Sequence, residues 1–180
     1  MGKLSLAYYG DPILRMRAPL VQEITPEIRL LGEEMIEMMF QHDGLGLAAP
    51  QVKHLVRLFV MRIPDYDDNY RPHYREPQIV INPVLSAPSD EYLLDSEGCL
   101  SLPGMRGDVL RPAAITLEAV DIHGKPFRME LEGYNARMVM HETDHLNGKL
   151  YIDRMRGQPR QALEPKLRQL QARYAKEQRR

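Results

Sequence analysis

Residues 141–145 read His141-Glu142-Thr143-Asp144-His145, within a segment, 134–147, whose pattern predicts a helix that ends at Gly148. Residues four apart share one face of a helix, so His141 and His145 can present two imidazole nitrogens to one metal ion. Glu142 stands beside them, within reach of a water at that ion without having to be a ligand. The pattern predicts a metal site with a glutamate beside it.

A catalytic metal site needs a third protein ligand, and the sequence offers two candidates. Cys99 is the only cysteine and lies in Glu97-Gly98-Cys99-Leu100-Ser101, a polar segment unlike the usual surroundings of a buried cysteine. Gly98 would let the backbone come close to a ligand. The other candidate is Glu164, a carboxylate 19 residues after His145. Because Pro165 follows it, a place at the N-cap or in the first turn of a helix is the simpler explanation of Glu164.

A third motif is Gly44-Leu45-Gly46-Leu47-Ala48-Ala49-Pro50-Gln51. It lacks the third glycine of a dinucleotide loop and the Lys-Ser/Thr of a phosphate loop. Its small residues instead suit a strand that a peptide backbone can approach closely. Gln51 then offers a side-chain amide to an oxygen atom.

Taken in this order, the three motifs resemble those of peptide deformylase, which carries G-x-G-x-A-A-x-Q, E-G-C-x-S and H-E-x-x-H. The resemblance spans nearly the whole chain, from Asp11-Pro12-Ile13-Leu14 to the segment 145–151 and the helical tail. One departure is Met140, where many relatives have glutamine before the first histidine. The resemblance implies that Cys99, His141 and His145 hold the metal and that Glu142 is the general base.

The resemblance also implies the reaction, which is removal of the formyl group from the N-terminal formylmethionine of nascent polypeptides with release of formate. Fe(II) is the native ion that it implies, although a thiolate and two imidazoles also suit Zn(II), Ni(II) or Co(II) in purified protein. The side chain of Gln51 and the backbone N–H of Leu100 would face the formyl oxygen. Gly46 would pair with the substrate backbone, and the remaining candidates for substrate binding are Leu45, Gly98 and Arg106. We expect Val139 and Met140 either to line the methionine pocket or to pack in the core.

Two other functions remain open at this stage. One is a zinc metallopeptidase of the H-E-x-x-H type, with Glu164 as the third ligand. The other is a non-enzymatic module with a closed structural metal site and a basic tail that binds RNA. Such a closed site would have four protein ligands and no free glutamate beside it.

The composition limits the class of protein. The chain has 180 residues, 43% of them apolar and 27% charged, as in a globular domain. No stretch approaches the ~20 apolar residues of a membrane span, and a lone cysteine cannot form an internal disulfide. We therefore expect a single catalytic domain over residues 1–180 in a reducing, cytoplasmic setting.

Charge is divided unevenly along the chain. Residues 154–180 carry nine basic and two acidic side chains, whereas residues 1–153 carry 15 basic and 23 acidic ones. The acidic body argues against binding of duplex DNA, and the basic tail is a candidate contact to the ribosome.

The predicted fold class is α+β, because the strands cluster between helices without strict alternation. Short, mostly antiparallel strands would surround a central metal-binding helix, followed by a C-terminal helix near 161–178. A further helix is expected to begin at Thr25-Pro26 and to stop at Asp43-Gly44. The segment 65–77 is expected to be a loop, with a flap over the site as the alternative. The predicted strands lie near 56–61, 79–85, 115–120 and 127–131.

Overall fold

The computed structural model describes residues 4–66 and 72–177. Within these ranges the strands are β1 Gly46–Ala48, β2 Leu58–Met61, β3 Pro64–Tyr66, β4 Pro72–Tyr74, β5 Gln78–Ser86, β6 Tyr92–Gly98, β7 Arg106–Pro112, β8 Ala114–Val120 and β9 Pro126–Glu132. The α-helices are α1 Pro26–Gln41, α2 Gly133–Leu146, α3 Gly157–Ala162 and α4 Glu164–Glu177. Short 3₁₀ helices cover Pro12–Arg15, Ala49–Val52 and Tyr151–Asp153.

A five-stranded antiparallel sheet forms the centre of the fold, in the order β1-β2-β5-β8-β9. Its two faces are covered by different helices. Phe59 and Met61 of β2 pack in the same cluster as α2, whereas Leu58 and Val60 pack with α1 on the other face. This follows from the two-residue period of a strand, because successive side chains point to opposite sides. All four residues are buried, as expected for a strand covered on both faces.

Helix α2 lies inside the molecule. Every residue from Ala136 to Leu146 is buried, and the helix contacts β1, β2, β8 and β9 of the large sheet and β7 of a separate two-stranded sheet, β6-β7. A helix that is buried on all sides is usually apolar, but this one carries His141, Glu142, Asp144 and His145. Those polar groups therefore need partners within the protein, or a ligand.

The predicted α+β class, the antiparallel strands, the central helix and a helical C-terminus are confirmed. The predicted helix after Thr25 is also confirmed and ends at Gln41, just before the expected stop. Gly148 follows α2 with φ +69°, a conformation that glycine adopts without strain.

Three local expectations were wrong. The described ends of the segment 65–77 form an antiparallel hairpin, β3 with β4, rather than a loop; residues 67–71 lie outside the described part. Strands β6 and β7 were missed, because their buried positions include the charged Glu97 and Arg111, which hide the alternation of apolar and polar residues. The tail contains two helices rather than one, separated at Leu163, since Pro165 cannot donate a backbone hydrogen bond.

Candidate metal centre and its cleft

Cys99, His141 and His145 each place one ligand atom so that all three atoms lie within 4.8 Å of one another. The Sγ of Cys99 is 3.3 Å from Nε2 of His145. A tetrahedral ion with metal–sulfur and metal–nitrogen bonds of about 2.3 and 2.0 Å separates such ligands by about 3.5 Å. The three side chains therefore fit one transition-metal ion.

The secondary structure explains how residues far apart in sequence meet here. His141 and His145 are one helical turn apart on α2, which brings their rings to a centroid separation of 5.0 Å. Cys99 follows the last residue of β6, and β6 is held in register by β7 along its whole length. The cluster thus joins the buried helix to the small sheet.

Glu97 fixes the orientation of His141. Its Oε2 lies 2.8 Å from Nδ1 of His141, so Nδ1–H donates to the carboxylate and Nε2 is free to face the cluster. Carboxylates that hold the second ring nitrogen in this way are common around metal-binding histidines. Glu97, in β6, and Cys99, just after it, each contact one histidine of α2.

Glu97 is in turn held by two buried arginines. Arg111 donates from Nε and Nη2 to the two carboxylate oxygens at 2.6 and 2.9 Å, and Nη1 of Arg137 donates at 2.8 Å. Arg111 also donates to Asp144 at 2.9 Å. Arg111 is only 2% exposed, so this is a fully desolvated ionic network beneath the metal cluster.

Burial and neighbouring charges shift the pKa values of the groups in and around the cluster. Burial alone would raise the pKa of Glu97, but hydrogen bonds from Arg111 and His141 hold that pKa far below its usual range. Burial lowers the pKa of His145 well below 6.5, and the neighbouring His141 lowers it further. For His141 the loss of solvation is outweighed by hydrogen bonds to Cys99 and Glu97, which raise its pKa. The lowered pKa of His145 favours its neutral imidazole, which is the form that coordinates a metal.

Glu142 lies next to the cluster and faces a cleft of about 640 Å³. Its side chain is buried and its Oε2 has no hydrogen-bond partner among the described residues. The loss of solvation raises the pKa of Glu142 to about 7. A carboxylate in this state can both accept and return a proton near neutral pH.

Glu142 also lies directly against Gly46 of β1. A Cβ built on Gly46 would come within 2.8 Å of both Cδ and Cγ of Glu142. Real Cβ atoms do not approach carbon that closely, so only glycine leaves room for the carboxylate at this position.

The cleft brings together most of the residues singled out from the sequence. Besides Glu142, Cys99 and His141, it is lined by Leu45, Gly46, Gln51, Gly98, Leu100 and Arg106. His145 does not line it and is buried behind the cluster. Gln51 is held by the backbone N–H of Ala48, which donates to Oε1 at 2.8 Å, so its Nε2 points towards Cys99 Sγ at 3.4 Å. Arg106 lies at the rim, where it donates to Ser96.

The structure also decides between alternatives that the sequence left open at two places, Glu164 and the pair Val139 and Met140. Glu164 forms ion pairs with Arg160 and Arg168 on the tail and is not part of the metal cluster. Val139 and Met140 do not line the cleft and pack in the core beneath the large sheet. Their place is taken by Tyr134 and Met138, which line the cleft.

Two sets of residues were missed from the sequence. Tyr134 and Met138 could have been found, because they precede His141 and Glu142 at helical spacing and so share their face of α2. The roles of Arg111 and Arg137 could not be predicted, because nothing in the order of residues indicates which arginines contact Glu97 in the folded protein.

The sequence profile of the polypeptide deformylase family matches residues 3–161. The chain belongs to this family. It is 42% identical over 158 residues to a peptide deformylase of Lachnoclostridium phytofermentans, covering 88% of this chain and 92% of the relative. It is 36% identical over 170 residues to the Rickettsia akari peptide deformylase, covering 94% and 97%.

Solved structures of polypeptide deformylase family members have the same fold. A plant peptide deformylase superimposes with a TM-score of 0.89 at 33% identity, covering 98% of this chain and 94% of the other. The Plasmodium falciparum enzyme in complex with an inhibitor gives 0.81 at 35% identity, covering 92% and 98%. Peptide deformylases are metal-dependent hydrolases, and a metal ion fits the Cys99 cluster of this member. Among the helices of the described ranges, none has the length and apolar character to cross a membrane.

Proposed function

We propose that this chain removes the formyl group from the N-terminal formylmethionine of nascent polypeptides and releases formate. Membership of the deformylase family supports the reaction. The observation that carries the proposal is the cluster of Cys99, His141 and His145 beside the unpartnered Glu142 at the base of an open cleft.

Cys99, His141 and His145 would hold the metal ion. When bound, a divalent ion at these ligands supplies Lewis-acid chemistry and lowers the pKa of a bound water from 15.7 towards about 7. The thiolate and two imidazoles suit Fe(II), Zn(II), Ni(II) and Co(II). We propose Fe(II) as the native ion, because the resemblance to the family implies it.

Glu142 acts as the general base and then as the general acid. It accepts a proton from the attacking water and delivers one to the leaving amine of methionine. Its burial against Gly46 and its raised pKa suit both steps, since a group whose pKa is near the working pH is efficient in either direction.

Gln51 and Leu100 are assigned to the formyl oxygen. The hydrogen bond from Ala48 fixes Gln51 so that its amide N–H₂ group faces the cleft beside Cys99. The backbone N–H of Leu100, immediately after Cys99, is the second donor. Negative charge develops on this oxygen during the reaction, and one pre-oriented donor is typically worth about 10²–10³ in turnover.

Strand β1 provides the edge on which the peptide would bind. It pairs with β2 on one side, and its residues Leu45 and Gly46 line the cleft on the other. An extended peptide can add to such an edge through main-chain hydrogen bonds. Gly98 and Arg106 form the opposite wall, and Tyr134 and Met138 provide the larger side chains near the place where methionine would lie.

The test measures formate release from formyl-Met-Ala-Ser and, in parallel, acetate release from acetyl-Met-Ala-Ser. We expect strong preference for the formyl peptide, because the donors around its oxygen leave little room for a methyl group. Cys99→Ala and His145→Ala should lose bound metal and activity together, whereas Glu164→Gln should lose neither. Comparable rates on the two peptides, or loss of metal only in Glu164→Gln, would refute the proposal and favour the zinc metallopeptidase.

We further propose that the basic tail contacts the ribosome, where the substrates emerge, and that the whole chain acts as one domain in the cytoplasm. Leu167 of α4 is 1% exposed and packs in the same cluster as Leu102 and Met105, which supports one domain. Lys166 and Arg168 flank Leu167 and are exposed, so the cations of the tail face outwards. Co-sedimentation with ribosomes that does not weaken at high salt would contradict an electrostatic contact of this kind.

A further inference from the structure

A second cavity, of about 930 Å³, lies on the opposite side of α2 from the catalytic cleft. Met140, Thr143 and Asp144 line it, whereas Met138, His141 and Glu142 line the cleft. At 100° per residue these two sets point to opposite sides of the helix. We call this cavity the rear groove, and its occupant would not compete with a peptide in the cleft.

The walls of the rear groove are apolar and open. Leu20, Val84, Tyr92 and Leu110 line it, and each is more than half exposed. Single exposed apolar residues are normal on a protein surface, but several around one concavity are typical of a surface that binds another molecule.

The groove also carries an excess of positive charge. Arg17, Arg57, Arg111 and Arg154 line it, and the only carboxylate among its lining residues is Asp144. Asp144 is already bound by Arg111 at 2.9 Å and by Arg154 at 2.5 Å. The negative charge of Asp144 is therefore already compensated by these two arginines at the floor of the groove.

Arg17 and Arg57 remain without an ionic partner in the described part of the chain. Nη1 of Arg57 donates to Oδ1 of Asn147 at 3.0 Å, and Nη2 donates to the carbonyl of Pro83 at 3.4 Å. Both acceptors are neutral. The backbone of Arg17 pairs with that of Asn147, whose Oδ1 accepts from Arg57, so both arginines are held at Asn147 and line the same groove. Partial burial lowers the pKa of Arg57, and the positive charge of Arg17 lowers it further. An anion between the two cations would relieve their repulsion.

We propose that the rear groove binds an acidic peptide segment of a partner protein, with a carboxylate between Arg17 and Arg57. Neighbouring apolar side chains of that segment would pack on Leu20, Val84 and Leu110. The charge complementarity selects a carboxylate, and the apolar walls favour a peptide over a polynucleotide, whose backbone would place phosphates against them. The proposal does not depend on the reaction in the cleft.

The experiment uses an N-acetylated, fluorescein-labelled peptide with alternating leucine and aspartate, and a matched peptide with leucine and asparagine. Binding to the metal-loaded protein is followed by fluorescence anisotropy at 50 and 300 mM salt. We expect saturable binding of the aspartate peptide that weakens at high salt, and at least tenfold weaker binding of the asparagine peptide.

Three variants test whether the aspartate peptide binds in the rear groove. Arg17→Glu should weaken binding about tenfold, and Leu110→Ser should weaken it several-fold, because it removes apolar contact. Arg128→Glu is the matched control, since Arg128 has a side chain that is 59% exposed on β9 and does not line the groove, and its affinity should not change. Formate release should be unchanged in all three variants.

An equal affinity of wild type and Arg17→Glu, or of the two peptides, would overturn the proposal, as would the absence of binding. Displacement of the aspartate peptide by an equimolar uridine dodecamer would also overturn it and identify the groove as a polynucleotide site.

Discussion

Gly46→Ala should inactivate the enzyme by displacing Glu142, although it adds only one methyl group. The new Cβ would lie within 2.8 Å of Cδ and Cγ of Glu142, whereas ordinary contacts of this kind are at least 3.4 Å. The neighbour is a buried carboxylate at the base of the cleft rather than the free end of a surface chain. Because Oε1 of Glu142 would lie closer still, the carboxylate or β1 must move by roughly 1 Å, and a displacement of that size can cost about 10²-fold in rate.

The kinetic constants separate this explanation from a loss of substrate binding. Alanine keeps the backbone N–H and C=O of position 46, so the KM for formyl-Met-Ala-Ser should change little while kcat falls about 100-fold. Metal content, measured by atomic emission, should remain that of the wild type.

A double variant supplies the control. If Gly46→Ala acts only through Glu142, then adding it to Glu142→Gln should cost little more than Glu142→Gln alone. Equal and independent losses from the two substitutions would refute the reasoning, as would a Gly46→Ala enzyme with normal kcat.

Three further predictions concern stability and the metal. The pKa of Glu142 is raised from 4.5 to about 7 in the folded protein. The free energy of unfolding therefore falls as the pH rises from 4.5 to 7, because the unfolded chain ionises this group more easily. Glu142→Gln should raise the free energy of unfolding of metal-free protein by about 3 kcal/mol at pH 8 and by little at pH 4 in urea titrations. An equal effect at both pH values would contradict this. Leu167→Ala should lower the free energy of unfolding by about 2–4 kcal/mol, because Leu167 is buried. Arg168→Ala is the control, at a side chain that is 78% exposed, and should change that free energy by less than about 0.5 kcal/mol. Similar effects of the two substitutions would show that α4 does not pack on the body. Iron-loaded enzyme should lose activity in air faster than nickel-loaded enzyme made from the same metal-free preparation. The reason is that Fe(II) and the thiolate of Cys99 can both be oxidised. Equal rates of decay in the two samples would refute metal-centred oxidation.

Much of the catalytic centre was predictable because its chemistry needs particular residue types at particular spacings. The helical separation of His141 and His145 placed two ligands on one face before any fold was known. Cys99 was one of two candidates for the third ligand because of its polar surroundings, and the resemblance to peptide deformylases favoured it over Glu164. Both histidines and the cysteine lie together in the structure.

What could not be predicted depends on long-range pairing. Strands β6 and β7 bury charged side chains at positions where apolar ones are expected, so their pattern does not indicate a strand. Those charges are tolerated only because Arg111 and Glu97 meet across the small sheet, 14 residues apart. The resemblance to the family assigned Gly46 to the substrate backbone, and only the packing of α2 against β1 shows that Glu142 also occupies the space of its missing side chain.

The buried ionic network restricts how this sequence can vary. Losing one member, such as Arg111, leaves the buried Glu97 and Asp144 with fewer ionic partners, and breaking a buried ion pair typically costs about 3–5 kcal/mol. Replacing all members of a buried ionic network by well-packed apolar residues is often neutral or stabilising. Glu97, however, also orients His141, so its substitution would disturb the metal site. Arg111 and Asp144 are therefore expected to change together or not at all. A library randomised at these two positions and selected for folding should recover the Arg–Asp pair and uncharged pairs, with few single replacements.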